Sequence, residues 1–207
     1  MAVIRSVEEV LAAVRSAASS SGRTVVGIAG APGAGKSTLA AELVERVGAE
    51  AALLPMDGFH LPQRRLVELG RRDRMGAPDT FDVPAFLDVL ERVRQNGKVV
   101  LAPGFDRTIE EAVPDAIRIG PEHSVVVVEG NYLLLDSGGW GSASALFDTT
   151  FFVEVPQEVR LRRLIDRHIA FGKSPDAARA WVLGPDERNA ELIAGTASRA
   201  SHRVVLT

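Results

Sequence analysis

Apolar runs alternate with amphipathic segments along the chain. Largely apolar, β-rich runs at residues 24–29, 51–56, 98–102, 124–129 and 150–155 predict buried strands. Apolar residues at helical spacing predict helices at residues 37–47 and 83–95 and through most of 157–199, and Ser6 and Glu9 form a capping box before a first helix. Strands that are apolar throughout and separated by helices are typical of a parallel sheet covered on both faces. The pattern therefore predicts an α/β fold.

Length and composition narrow the class of protein. The 207 residues, 46% of them apolar, suit a single domain over residues 1–207. A net charge of -3 indicates no general attraction to nucleic acid or anionic membranes, and no run approaches the length of a membrane span. The chain has no cysteine, and Arg5, Glu8 and Glu9 interrupt the apolar N-terminus, which is unlike a signal peptide. We expect a cytoplasmic protein, and a homodimer stays an open option.

Residues 30–37, G-A-P-G-A-G-K-S, match the phosphate-binding loop G-x-x-x-x-G-K-[ST] and lie between a predicted strand and a predicted helix. Such a loop directs backbone N–H groups at a polyphosphate, and the helix N-terminus adds partial positive charge. We expect Lys36 to reach the β and γ phosphates of ATP and Ser37 to bind Mg²⁺. A Gly-rich turn with a solvent-facing lysine is the alternative. The predicted nucleotide-binding residues are Gly30, Ala31, Gly33, Ala34, Gly35, Lys36, Ser37 and Thr38.

Two carboxylates stand at the ends of predicted strands. Asp57 directly follows the strand at 51–56, and Glu129 ends the strand at 124–129. Ligands of open parallel sheets gather at the carboxyl ends of the strands. We therefore expect Asp57 to accept a proton from a substrate hydroxyl and Glu129 to act on the metal or the γ-phosphate. A turn-forming aspartate and a salt-bridged glutamate are the alternatives.

Five segments together resemble the pantothenate kinase, uridine kinase and phosphoribulokinase branch of the P-loop kinases, especially its small fructose-transport-system-kinase-like members. They are residues 30–37, P-M-D-G-F-H at 55–60, G-A-P-D-T-F-D at 76–82, V-V-E-G at 127–130, and 160–167. The likeness spans nearly the whole chain. It implies a three-layer P-loop fold, with a central parallel sheet, helices on both faces and a helical lid at about residues 157–185.

The resemblance also implies residue roles. Asp57 corresponds to the aspartate that activates the acceptor hydroxyl. Leu192 stands where pantothenate kinase carries a substrate-binding asparagine, which argues against pantothenate. Trp181 and Asn189 lie in the same C-terminal region and are candidates for the wall of the pocket, and a core position is the favoured alternative for Trp181. The residues expected around the substrates are Phe59, His60, Phe81, Asp82, Asp106, Arg107 and Glu129.

Two groups of arginines suggest contacts with anions. Arg160, Arg163 and Arg167 are spaced to share one helix face, and the resemblance implies that this lid face, through Arg163 and Arg167 above all, contacts the transferring phosphoryl group. A second group suggests an anionic acceptor, because arginine binds carboxylates and phosphates with two parallel hydrogen bonds. Solvated basic surfaces are the alternative for both groups. The second group consists of Arg64, Arg65, Arg71, Arg72 and Arg74.

We therefore expect an ATP-dependent and Mg²⁺-dependent kinase with Asp57, Lys36, Arg163 and Arg167 as its catalytic residues. Its acceptor would be a hydroxyl of a sugar, nucleoside or pantothenate-like metabolite. An NTPase switch and a nucleotide-sensing module without turnover are the alternatives. The chain has no N-K-x-D segment of the kind that reads guanine, and the carboxylates and arginines argue against a sensor.

Overall fold

A parallel sheet forms the centre of the protein in a computed structural model that describes residues 2–18 and 22–206. The strands are β1 (Ala2–Ile4), β2 (Thr24–Gly30), β3 (Ala51–Pro55), β4 (Val100–Asp106), β5 (Glu111–Ile119), β6 (Val125–Glu129), β7 (Thr149–Val153) and β8 (His202–Val204). Six of them form the central sheet in the order β1-β8-β7-β2-β6-β3, with every pairing parallel. The predicted α/β class with a central parallel sheet is confirmed.

Helices cover both faces of this sheet. Their bounds are α1 (Val7–Ser16), α2 (Lys36–Val47), α3 (Gln63–Glu68), α4 (Val83–Gln95), α5 (Gln157–Ala170), α6 (Pro175–Trp181) and α7 (Glu187–Ala194). Helix α1 begins where the capping box predicts, because the Ser6 side chain accepts a hydrogen bond from the Glu9 amide. Residues of α1 and α2 share one apolar cluster, whereas α4 belongs to the cluster on the opposite face.

The central strand β2 explains why the apolar runs carry no alternation. Its Val26 and Ile28 side chains join the cluster on the α1 and α2 side, and Val25 and Ala29 join the cluster on the α4 side. Successive side chains of a strand point to opposite faces, so a strand covered on both faces must be apolar at every position. All seven residues of β2 are buried.

The strand expected at residues 98–102 needs correction. It begins at Val100 and lies outside the central sheet, in an antiparallel hairpin with β5. No apolar run predicts β5, because most of its residues are exposed and Pro114 lies within it. The short outer strands β1 and β8 were also not predicted, since three residues carry too little pattern. The hairpin packs against the turn Met56–Phe59 at the end of β3.

The C-terminal part is helical, as expected. Between α6 and α7 the helix widens into a π-helical segment, Val182–Asp186, which contains Pro185. A proline cannot donate to the regular helical ladder, and single π turns of this kind accommodate such an interruption. Within the described residues, no helix combines the length and the hydropathy that a membrane crossing requires.

Candidate active site

A cleft of about 310 Å³ opens at the edge of the sheet where β2, β3 and β6 end. One wall is the phosphate-binding loop between β2 and α2. Gly33 has a φ of 79° there, and a Cβ at this position would lie 2.8 Å from the Arg160 carbonyl oxygen. The first helical hydrogen bond of α2 runs from the Leu39 amide to the Gly35 carbonyl. The amides before Leu39 therefore have no partner within the helix and form an anion-binding end.

Lys36 is the buried cation of this wall, with 8% of its surface exposed. Its Nζ donates to the carbonyl oxygen of Ala31, 3.1 Å away, within the same loop. Burial lowers the pKa of Lys36 to about 8, against the attraction of Glu129 and Asp57. Burial of the ammonium therefore carries a desolvation cost, which the negative charge of a bound phosphate group would offset.

The two carboxylates at the strand ends both line the cleft. Glu129 ends β6 and accepts a hydrogen bond from the Ser37 hydroxyl at 3.0 Å. Burial raises the pKa of Glu129, and the negative charge of Asp57 raises it further. Asp57 lies in the turn after β3, with 24% of its side chain exposed. These positions place one carboxylate beside the phosphate loop and the other facing open cleft.

Asp57 pairs with Arg107, whose Nη2 lies 2.5 Å from Oδ2 of the carboxylate. Burial acts to raise the pKa of Asp57, but the charges of His60, Arg107 and Lys36 outweigh it and bring the pKa below its ordinary value. Burial also lowers the pKa of His60, so its imidazole is neutral near pH 7. At that pH, Arg107 and Lys36 are therefore the charges that keep Asp57 ionised.

Aromatic rings form the wall next to Asp57. The His60 ring lies between Phe81 and Phe105, with centroids 4.0 and 4.8 Å away, and its Nδ1 is 2.8 Å from the Asp57 carbonyl oxygen. Gly58 allows the β4–β5 hairpin to approach, because a Cβ on Gly58 would lie 2.1 Å from the Pro103 carbonyl oxygen. The hairpin therefore has a fixed position relative to Asp57.

The second arginine group is largely paired with acids of its own neighbourhood. Arg71 and Arg74 both contact Asp79, and Arg64 and Arg65 both contact Glu68. Local ion pairs therefore neutralise these four arginines, and no anionic substrate is needed to explain their presence. Arg72 differs from the other four because it lines the cleft.

Helix α5 separates the three arginines that were expected to act together. Arg163 and Arg167 line the cleft, and a Cβ on Gly35 would lie 3.5 Å from Arg163 Nη1. In the described residues neither guanidinium has a hydrogen bond or ion pair. Arg160 instead points away, with 7% of its side chain exposed and an ion pair to Glu187 of α7.

Several predicted residues lie outside the cleft. Phe59 packs edge-on against Phe86 in the core, Asp82 caps α4 by accepting from the Ala85 amide, and Asp106 accepts two hydrogen bonds from Thr108 in the hairpin turn. Their contacts support the walls instead of lining them. The predicted nucleotide-binding residues outside the cleft lining are Gly30, Ala31 and Ala34.

The C-terminal helices contribute Asp186 and His168, which the sequence analysis did not single out, beside Asn189 and Trp181, which it did. Asp186, at the end of the π-helical segment, lies 2.9 Å from Nε2 of His168, and both line the cleft. Asn189 donates to the Gly76 carbonyl, and Trp181 lies under the Lys173 ammonium. A π turn that contains proline has no reliable sequence signal, although such turns often occur at functional sites.

The donor set fits a magnesium–polyphosphate ligand. Amides without a partner inside helix α2, Lys36 and the guanidinium groups of Arg163 and Arg167, unpaired in the described part of the chain, lie around the cleft. Ser37 and Glu129 offer hard oxygen atoms. In residues 2–18 and 22–206 no group of three His, Asp or Glu side chains could hold a metal ion alone. Mg²⁺ suits this arrangement because it takes most of its ligands from water and phosphate.

Comparisons with known proteins agree with this geometry. The model of the phosphoribulokinase / uridine kinase family matches residues 25–183. A crystal structure from Silicibacter sp. TM1040, provisionally described as a fructose transport system kinase, has a TM-score of 0.89 and 36% identity, and the match covers 96% of this chain and 98% of that chain.

Two curated sequences are similar over most of the chain. The ATP-dependent kinase-like protein notR' of Aspergillus versicolor is 38% identical over 148 residues, which are 67% of this chain and 86% of that protein. A protein of Schizosaccharomyces pombe, provisionally described as a uridine kinase, is 37% identical over 163 residues, or 72% of this chain and 68% of that protein. The resemblance drawn from the five sequence segments is confirmed.

Proposed function

This chain belongs to the phosphoribulokinase / uridine kinase family, and from that premise we propose that it transfers the γ-phosphoryl group of ATP to a hydroxyl group of a small-molecule acceptor. One observation carries the proposal. An ionised carboxylate, Asp57, lines the same cleft as a phosphate-binding loop with a buried lysine. A cleft of this kind brings a polyphosphate and a proton acceptor together, which phosphoryl transfer to a hydroxyl requires.

On the donor side, the loop amides and Lys36 bind the β and γ phosphates. Ser37 and Glu129 would hold Mg²⁺, which when bound neutralises charge between these phosphates. The Ser37 hydroxyl donates to Glu129 at 3.0 Å, so the two oxygen atoms lie side by side in the cleft. Arg163 and Arg167 stabilise the negative charge that spreads over the transferring group.

On the acceptor side, Asp57 takes the proton of the attacking hydroxyl. The acceptor oxygen forms a bond to the γ-phosphorus while the bond from that phosphorus to the bridging oxygen breaks. ADP leaves with the bonding electron pair, and the proton remains on the Asp57 carboxylate. The carboxylate suits this role because it is ionised at neutral pH, with its pKa below the ordinary value.

The segment at about residues 157–185 acts in this proposal as a lid. It carries Arg163 and Arg167, and it contributes His168, Lys173 and Trp181 to the far side of the cleft. Closing over bound substrates would exclude water and so favour transfer to the acceptor over hydrolysis.

The test is an ADP-release screen over sugars, nucleosides, sugar acids and sugar phosphates, with the wild-type protein and Asp57→Asn. We expect acceptor-stimulated ADP release from the wild type and about a 10³-fold lower rate from Asp57→Asn. Binding of a non-hydrolysable ATP analogue should be retained in the variant. ATP hydrolysis that no hydroxyl compound stimulates would support an NTPase switch, and unchanged turnover in Asp57→Asn would remove this carboxylate from the mechanism.

A further inference from the structure

We call the part of the cleft next to Asp57 and His60 the acceptor half and the part next to the phosphate loop the donor half. The acceptor half contains two arginines that are each bound to a carboxylate. Arg107 Nη2 lies 2.5 Å from Asp57 Oδ2, and Arg72 Nη2 lies 2.6 Å from Glu110 Oε2. All four side chains line the cleft. We call Arg72 and Arg107 the anion subsite. Each guanidinium has further N–H groups, so each can bind a second oxygen ligand.

The ion pair with Arg107 conflicts with the proposed role of Asp57. A carboxylate that is held by a guanidinium is a weaker proton acceptor, because the positive charge favours its ionised form. It also has less access to a substrate hydroxyl, since one oxygen is already occupied. A productive acceptor must therefore do more than reach Asp57. It must also displace Arg107 from the carboxylate.

The fold holds Arg107 in this position. Asp106 accepts hydrogen bonds from the amide and hydroxyl of Thr108, which shapes the turn that carries Arg107. Gln63 of α3 donates to the carbonyl oxygens of Ile109 and Glu110, at 3.1 and 3.3 Å, on the other side of the turn. Hydrogen bonds hold the turn on both sides, so the backbone position of Arg107 next to Asp57 is fixed by the fold.

We propose that the acceptor is a small hydroxy acid whose carboxylate or phosphate group binds the anion subsite and takes Arg107 from Asp57. This inference rests on the proposed kinase function and adds the class of its acceptor. The acceptor's anionic group gives Arg107 a new partner, so the guanidinium stays paired and only the Asp57 carboxylate loses its partner. Asp57 then faces the acceptor hydroxyl without its nearest positive charge and becomes a stronger base.

The same exchange of partners both binds the acceptor's acid group and frees Asp57 to act as a base. A neutral polyol or nucleoside cannot replace Asp57 as a partner of Arg107, so it would have to break the ion pair without compensation. The two arginines can hold the planar or tetrahedral oxygens of an acid group with parallel hydrogen bonds. Selectivity for anionic acceptors therefore comes from the same contact that frees the base.

The test compares matched acceptors in the presence of Mg²⁺ and ATP. Each small sugar acid or sugar phosphate is paired with the neutral polyol or amide of the same carbon skeleton, and acceptor-stimulated ADP release gives kcat/KM. We expect the wild type to prefer the anionic member of a pair by about 10²-fold or more. Arg107→Gln should lower kcat/KM for the anionic acceptor by about 10²-fold and raise the value for its neutral partner, because that partner no longer has to break the ion pair with Asp57.

Arg118→Gln is the matched control, because Arg118 lies on the same hairpin but pairs with Glu122 and is outside the cleft lining. It should behave like the wild type. Arg72→Gln provides a second variant in case Arg107→Gln folds poorly, and it should raise KM for the anionic acceptors.

The outcomes separate this inference from the kinase proposal. Equal or faster turnover of the neutral partners would overturn the hydroxy acid acceptor and leave the kinase function intact. Preference for anionic acceptors that Arg107→Gln and Arg72→Gln leave unchanged would also overturn it. ADP release that no hydroxyl compound stimulates would contradict both proposals.

Discussion

The two halves of the cleft carry similar cations in opposite states of pairing. In the donor half, Arg163 and Arg167 have no hydrogen bond or ion pair among the described residues, and the Lys36 ammonium donates only to a carbonyl of its own loop there. In the acceptor half, Arg72 and Arg107 are each bound to a carboxylate. The donor half is therefore prepared for a highly charged ligand, because its cations need no release from existing partners.

The difference teaches how one site can treat two substrates differently. Preorganised charges stabilise a transition state without reorganisation, which suits a donor that carries the reacting phosphorus. Self-paired charges admit only a ligand that offers an equivalent partner, which suits selection among acceptors. Three further experiments sharpen or break this comparison, in order of decreasing effect.

The largest effect is expected from Lys36→Ala. Loss of the buried ammonium should lower kcat/KM for ATP by more than about 10³-fold, because both phosphate binding and charge stabilisation depend on it. The free energy of unfolding should not fall, since the charged group is desolvated in the fold. Steady-state kinetics and urea unfolding give the two readouts. Lys98→Ala, at an exposed position, is the control, and a variant that keeps wild-type kinetics would contradict the prepared donor half.

A smaller effect is expected from Arg167→Gln. Removal of one free guanidinium should lower kcat by about 10²-fold and change the affinity for a non-hydrolysable ATP analogue far less, because the contact matters most when charge develops on the transferring group. Rapid-quench measurements of the transfer step would test this. Arg162→Gln is the matched control, since Arg162 lies on the same helix, exposed and in a groove outside the cleft. Equal losses in both variants would mean that the helix as a whole, not this guanidinium, is required.

The smallest effect is a dependence of nucleotide affinity on pH. The pKa of Lys36 is lowered to about 8 in the free protein, and bound phosphate favours the charged ammonium. The affinity for the ATP analogue should therefore be highest at pH values below the pKa of Lys36. It should fall as the pH rises through about 8, by about tenfold between pH 7 and pH 9. Calorimetric titration of a non-hydrolysable ATP analogue would measure it. Lys36→Arg keeps its charge and should give a flat profile, and a flat wild-type profile would refute the assignment.

The sequence predicts the donor half better than the acceptor half, for a physical reason. A phosphate loop is built from backbone that only a few residue types permit, so Gly33 and Lys36 can be read from the motif. Asp57 and Glu129 could be placed because strand ends of a parallel sheet meet at one edge. These features depend on local sequence and on sheet topology alone.

The acceptor half depends on contacts between distant segments. The β4–β5 hairpin was missed because its second strand is mostly exposed and contains Pro114. The contact between Asp57 and Arg107 joins residues 50 positions apart, and no spacing rule predicts it. Asp186 reaches the cleft through a π turn that lacks a sequence signature. Side-chain pairing of this kind becomes visible only when the segments are seen together.

The absence of a side chain at residue 33 also bears on how the proposed lid would open. A Cβ on Gly33 would lie 2.8 Å from the Arg160 carbonyl oxygen, so this loop and α5 approach closely, and Arg160 is in turn bound to Glu187. The first turn of α5 is thus anchored on two sides. We expect the hinge of this motion to lie within α5, after Arg160, and not at Pro156. Substitutions intended to widen the entrance or to speed substrate entry should therefore be made at the C-terminal end of the helix.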